Sequence, residues 1–164
     1  LNRNVFITLL IAFNIAIDQI SKTIVRSNMI EGARGKIDII KDYFQLIWVE
    51  NKGAFLGMGS DMNPTLKLIF LLILPTVVLG YVIYYIVKTK DLDRTSLIAF
   101  CCIVGGGIAN VFDRIVYGQV TDFFFIKITE TIKTGIFNVA DLSVTTGMIM
   151  LLFSGVFNKT KKES

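Results

Sequence analysis

Three long stretches without charge constrain this chain more than anything else in it. Residues 68–87 (LIFLLILPTVVLGYVIYYIV) run for twenty positions without Asp, Glu, Lys or Arg, residues 95–112 for eighteen and residues 142–158 for seventeen. A helix rises ~1.5 Å per residue, so each run approaches the length that crosses a ~30 Å hydrocarbon layer. The first segment is shorter: residues 5–17 are apolar and uncharged, and Asp18 follows. Thirteen residues would suit a signal-peptide core, but no small-x-small cleavage site comes after them. QISKTIV continues at helical spacing, so 4–26 reads as a spanning helix with a polar outer end. Composition agrees: 53% of the 164 residues are hydrophobic and mean hydropathy is +0.63, rarely seen in a soluble domain.

The expected fold class is a membrane all-α protein with four transmembrane helices, about 4–26, 65–88, 94–116 and 139–158, in one domain over 1–164. An even number of spans puts both termini on one side. Arg3, then Lys88, Lys90 and Arg94, then Lys159, Lys161 and Lys162 all fall on that side, which the positive-inside rule makes cytoplasmic. The orientation is therefore N-in, C-in, with outer loops 28–64 and 117–138. Residues 28–64 mix four Lys/Arg with five Asp/Glu, so the net charge of +4 is a topology signal. No basic face with interleaved aromatics appears, which argues against nucleic acid as a partner. Within the first outer loop, KIDIIKDYFQLIWVEN reads as two short strands around Lys41 and Asp42. In the second, FFFIKITETIKT suits either an amphipathic helix or a strand lying on the membrane, and period alone does not decide.

The chain has no histidine, which removes Ser-His-Asp and Cys-His catalysis and HExxH zinc sites. The two cysteines, Cys101 and Cys102, are adjacent in a helix and read as small packing residues. Any chemistry must come from carboxylates, lysine or hydroxyls. Depth then brings polar residues together. Asp18 lies thirteen residues past Val5 and Asn110 thirteen past Leu97, each about 20 Å up its helix. Asp113 and Arg114 lie just above, Asp122 in the following loop, and Asp141 at the outer start of the last helix. Ionisable groups inside a membrane are costly and are either paired or functional. Both readings stay open from spacing alone. Asp18 and Lys22 form an i,i+4 pair, Asn138 and Asp141 fit a capping box, and Asp122 suits an ordinary loop aspartate. Gly105, Gly106 and Gly107 suit close helix approach or an opening onto a cavity. A small transporter subunit or interaction partner is the rival class, but no inverted repeat is visible and the charges gather at one end.

Five ordered blocks carry a resemblance over nearly the whole chain: DQISK (18–22), NKGAF (51–55), GGGIANVFDR (105–114), VTDFF (120–124) and FNVAD (137–141). Together they resemble the lipoprotein signal peptidases, or signal peptidase II, a family of bacterial inner-membrane aspartyl peptidases. The resemblance implies that Asp122 and Asp141 form a catalytic dyad. It implies supporting roles for Asp18, Lys22, Asn51, Gly53, Asn110, Asp113, Arg114 and Asn138. It also implies an extramembrane β-cradle, placed at 36–50, and a short outer amphipathic helix, placed at 123–134. No metal or cofactor is implied. The expected substrate is a diacylglyceryl-prolipoprotein cut just before the lipidated lipobox cysteine, at the outer face of the membrane. Membrane lipid and cyclic-peptide inhibitors of the globomycin type are the other expected partners. Leu142 departs from the family pattern, which favours a small residue after the second aspartate. Two close carboxylates would share one proton and titrate as a unit, enough to activate water without metal or histidine.

Overall fold

The computed structural model describes residues 2–54, 59 and 61–160, with side chains of the last helix described as far as Ser154. Helix α1 spans Arg3–Asn28 and starts where the Asn2 side chain accepts from the Asn4 N–H at 3.1 Å. Helix α2 spans Pro64–Lys88. Asn63 caps it and Pro64 occupies its first turn, where a missing N–H costs nothing. Its stretch Leu68–Ile73 is a π-helical turn. Helix α3 spans Arg94–Tyr117, is capped by Asp93, and stops at Gly118, whose φ of 73° is the left-handed exit that glycine allows. Helix α4 spans Val139–Thr160. Helices α1, α2 and α3 are each long and apolar enough to cross a membrane, and α4 contributes a shorter apolar stretch over Val139–Ser154.

The burial pattern is inverted relative to a water-soluble domain. Leu9, Phe13, Val77, Ile115 and Leu152 stand out on the surface, whereas Asp18, Lys22 and Asp113 are 0% exposed. Helix α3 packs against α1, α2 and α4 and so forms the centre of the bundle. The glycine triplet explains how. A Cβ at Gly105 would sit 2.6 Å from Asn14 Cβ on α1, one at Gly107 2.6 Å from Leu79 Cδ2 on α2, and one at Gly106 would overlap the Ala140 carbonyl of α4. Three consecutive residues thus admit three different neighbours, because no side chain stands in the way.

A three-stranded antiparallel sheet in the order β1-β2-β3 covers one end of the bundle. Strand β1 is Ile37–Ile40, β2 is Phe44–Asn51 and β3 is Val120–Ile126. Lys41 makes the hairpin turn with φ of 47°. The short outer helix expected at 123–134 is a correction. Residues 123–126 finish strand β3, and 127–134 form a bridged turn in which Lys127 pairs with Lys133 and the N–H groups of Ile128 and Thr129 both donate to Ile132. The composition of VTDFFFI favours a strand. Pairing with β2 decides it, with Phe124 opposite Leu46 and its ring 5.7 Å from that of Phe44.

Candidate active site

Two local features bring Asp122 and Asp141 together. Asn138 is the cap of α4: its Oδ1 accepts from the Asp141 N–H at 2.9 Å, and its own N–H donates to Asp141 Oδ2 at 3.2 Å. This is the reciprocal box read from the spacing. Beside it, Phe137 O accepts from the N–H groups of both Phe123 and Phe124, and Phe137 N–H returns a bond to Phe124 O. The start of α4 is thereby laced to β3, one residue beyond Asp122. The capping reading of Asp141 holds, and the capping carboxylate is also a member of the polar cluster.

The amides around the pair have fixed orientations, because each faces a group that can only donate. Asn138 Oδ1 faces a backbone N–H, so its Nδ2 points away and donates to Asp122 Oδ1 at 2.6 Å and to Asn110 Oδ1 at 3.1 Å. Asn51 Oδ1 accepts from the Gly53 N–H at 2.9 Å, so its Nδ2 donates to Asp122 Oδ2 at 2.9 Å. Asn110 Oδ1 accepts from Lys22 Nζ at 3.0 Å, so its Nδ2 donates to Asp141 Oδ1 at 2.9 Å. Every oxygen of the two carboxylates therefore meets an N–H. Asn51 reaches Asp122 from the neighbouring strand, as the diagonal neighbour of a Val49–Asp122 pair. Arg114 closes the rim by donating to Gly53 O at 2.9 Å and to Asn110 O at 3.3 Å.

Below this layer lies a buried ionic cluster. Lys22 Nζ is 2.7 Å from Asp18 Oδ2 and 2.7 Å from Asp113 Oδ2, all with side chains 0% exposed. Asp18 Oδ1 accepts from the Ala140 N–H at 2.8 Å, which anchors the first turn of α4. A charge buried this deeply requires a partner. Lys22 has two, and its third contact sets Asn110, so the lysine positions Asp141 without touching it. Asp122, on the sheet outside the spanning helices, is only 3% exposed. Burial pushes its carboxyl up to about 7, the Asn51 hydrogen bond pulls the other way, and the Asp141 charge raises it further.

All ten residues singled out in the sequence fall in this one network. Gln19, Arg26, Glu50 and Thr121 belong to it as well and were missed. Gln19 donates to Asp113 Oδ1 at 3.0 Å. Arg26 lies 3.4 Å from Asp113 Oδ1, stacks 4.0 Å over the Tyr117 ring and donates to Thr121 Oγ1 at 2.8 Å. The Thr121 hydroxyl in turn donates to Glu50 Oε1 at 2.8 Å. The signal available was the i,i+4 stripe Asp18–Lys22–Arg26 along α1.

Apolar helices around a buried carboxylate–amide centre, with a small sheet over one end, define an integral-membrane protein with a chemically equipped polar site. The family model described as Signal peptidase (SPase) II matches residues 10–157. The chain belongs to the signal peptidase II family, a family of proteases. It is 36% identical to a lipoprotein signal peptidase of Clostridium novyi over 87% of this chain and 92% of that protein. It is 32% identical to a lipoprotein signal peptidase of Chlorobium luteolum over 94% of this chain and 95% of that one. A solved bacterial membrane enzyme superposes with a TM-score of 0.83 at 25% identity, over 96% of this chain and 91% of that chain.

Proposed function

We propose that the chain is a metal-independent aspartyl endopeptidase that removes the signal peptide from diacylglyceryl-prolipoproteins, with Asp122 and Asp141 as its catalytic pair. The observation that carries this reading is Asn138, whose side chain and backbone are bonded to both carboxylates at once. A pair held in this way, with Asp122 pushed up to about 7, suits one shared proton at neutral pH. The ionised partner takes a proton from a water between the two. The water oxygen forms a bond to the scissile carbonyl carbon while the protonated partner donates to the carbonyl oxygen. Collapse of the tetrahedral intermediate breaks the C–N bond as the carboxyl that took the water proton gives it to the leaving nitrogen, while the other carboxylate takes back a hydroxyl proton of the intermediate, which returns the pair to its starting state. Asn51, Asn110, Asn138 and Arg114 orient the carboxylates or hold the substrate backbone. Asp18, Lys22 and Asp113 set Asn110 and the start of α4, and Gly53 supplies a carbonyl to Arg114.

The proposed orientation is N-in, C-in with four spans in the bacterial inner membrane, supported by the Lys/Arg distribution. It puts the pair at the outer face, where water and the lipid-bearing cysteine of a substrate meet. The substrate assignment rests on the family and on the names of the relatives. It is tested by mass analysis of products from two lipobox peptides in lipid, one diacylglyceryl-modified on cysteine and one unmodified. Cleavage of the modified peptide just before the cysteine is expected, with little or none of the other. Equal cleavage of both, or cleavage elsewhere, would remove the proposed specificity.

A further inference from the structure

At the sheet end of the bundle, a second cavity lies between the start of α2 and the end of α3, apart from the aspartate pair. Its volume is about 210 Å³, and Lys52, Lys67, Arg114, Leu68, Leu71 and Leu72 line it. Three cations converge there and no carboxylate is among the lining residues. Lys52 and Lys67 form no ion pair among the described residues, although ion pairs hold Lys22, Lys36 and Lys127. Arg114 donates to two backbone carbonyls and to no carboxylate. Asp113, Asp122 and Asp141 act on Arg114 from the far side, but among the described residues the two lysines have no such counter-charge and repel one another unless an anion joins them.

The leucines say what kind of anion. They are spaced three and four residues apart on α2, directly after Lys67, so they continue one side of the helix into its apolar span. Leu68 is 50% exposed. They sit in the π-helical turn Leu68–Ile73, and such turns occur frequently at functional sites. Lys67 lies three residues past Pro64, about 5 Å into the helix, the depth at which a lysine reaches the head-group layer. Whole-ligand pockets measure roughly 300–1,000 Å³. This cavity is smaller, so it takes a head group and leaves the remainder of the ligand outside along the leucines.

We propose that this cavity is a binding site for an anionic phospholipid, with the phosphate among Lys52, Lys67 and Arg114 and an acyl chain along Leu68, Leu71 and Leu72. The site shares Arg114 with the candidate active site, but its two lysines and its test by binding do not depend on the peptidase reading. Its test is the thermal unfolding midpoint of the detergent-solubilised chain, titrated with short-chain phosphatidylglycerol, short-chain phosphatidylcholine or inorganic phosphate. Phosphatidylglycerol is expected to stabilise the wild type, and the other two to have little effect at equal concentration. A cation near a lipid surface contributes enough that the Lys52→Gln/Lys67→Gln double variant should bind roughly 30-fold more weakly. Lys67→Arg keeps the charge and should keep the titration curve, and so should Lys133→Gln, a lysine elsewhere on the outer surface. Unchanged binding in the double variant overturns the proposal, as does loss of binding in Lys67→Arg. An equal loss in Lys133→Gln would reveal general surface attraction instead. Equal stabilisation by phosphatidylcholine overturns the charge argument, and equal stabilisation by inorganic phosphate overturns the lipid assignment.

Discussion

Asn138 does two jobs with one side chain. Its oxygen caps α4 and its nitrogen holds Asp122, so stability and activity should separate on substitution. Asn138→Ala should lose about 0.5–2 kcal/mol of stability with the cap. It should also lose roughly 10²-fold in turnover with the donor. Serine at the same place can cap the helix but has no Nδ2. Asn138→Ser is therefore expected to regain thermal stability and remain as slow as the alanine variant. Asp122 gives a pH signature. Its folded value of about 7 stands above the ordinary 3.8, so the folded chain binds more protons than the unfolded chain between those values. Stability contributed by this group therefore falls as pH rises through that window. Relative to Asp122→Asn, the wild type should lose unfolding midpoint between about pH 4 and pH 7 and stay level above it. Turnover should fall above pH 7, where the pair loses its shared proton. Spacing could not choose between cap and catalyst for Asp141, because the reciprocal bonds to Asn138 are the same in both cases.

At the scale of elements, β3 was the hardest piece to read. FFFIKITETIKT fits two periods, and its partners lie in a strand about 75 residues earlier in the chain and at Phe137. Long-range pairing of this kind leaves no mark in the local pattern. The two strands around Lys41 and Asp42 were readable because they form a hairpin from adjacent sequence. Thr121 ties the sheet to the helices, accepting from Arg26 and donating to Glu50. Thr121→Val leaves the Arg26 Nε–H without that acceptor and Glu50 Oε1 with the Trp48 indole as its remaining donor, and should cost about 1–3 kcal/mol in thermal unfolding, with activity falling because Asp122 is the next residue. The glycine triplet was read as close approach or cavity lining, and close approach is what it provides. Gly106→Ala sets a methyl against the Ala140 carbonyl, so α3 and α4 must part. Overpacking of this kind costs about 1–3 kcal/mol and should shift the start of α4, measurable as lost turnover.

Across the whole molecule, the uncharged runs were enough to give a mostly helical membrane fold, because length and apolarity are local properties. The slab of polar residues was readable from helix rise, but its bonding was not. No spacing rule says that Lys22 sits between Asp18 and Asp113 and also orients Asn110. That ionic cluster joins α1, α3 and the start of α4. Lys22→Met strands two buried carboxylates and should cost about 3–5 kcal/mol, enough to lower the unfolding midpoint sharply at neutral pH. Partial recovery in Lys22→Met/Asp113→Asn, which removes one of the stranded charges, would assign the loss to stranded charge; no recovery would assign it to packing.

The proposed chemistry needs Asp122 and Asp141 to act together on water. The most direct measurement is cleavage of a diacylglyceryl-modified lipobox peptide in lipid, with a chelator present, by wild type, Asp122→Asn and Asp141→Asn. Cleavage by the wild type at an unchanged rate, with each variant folded and slower by about 10²–10⁴-fold, is the predicted result. Near-wild-type cleavage by either folded variant, or loss of wild-type cleavage to the chelator, would contradict it.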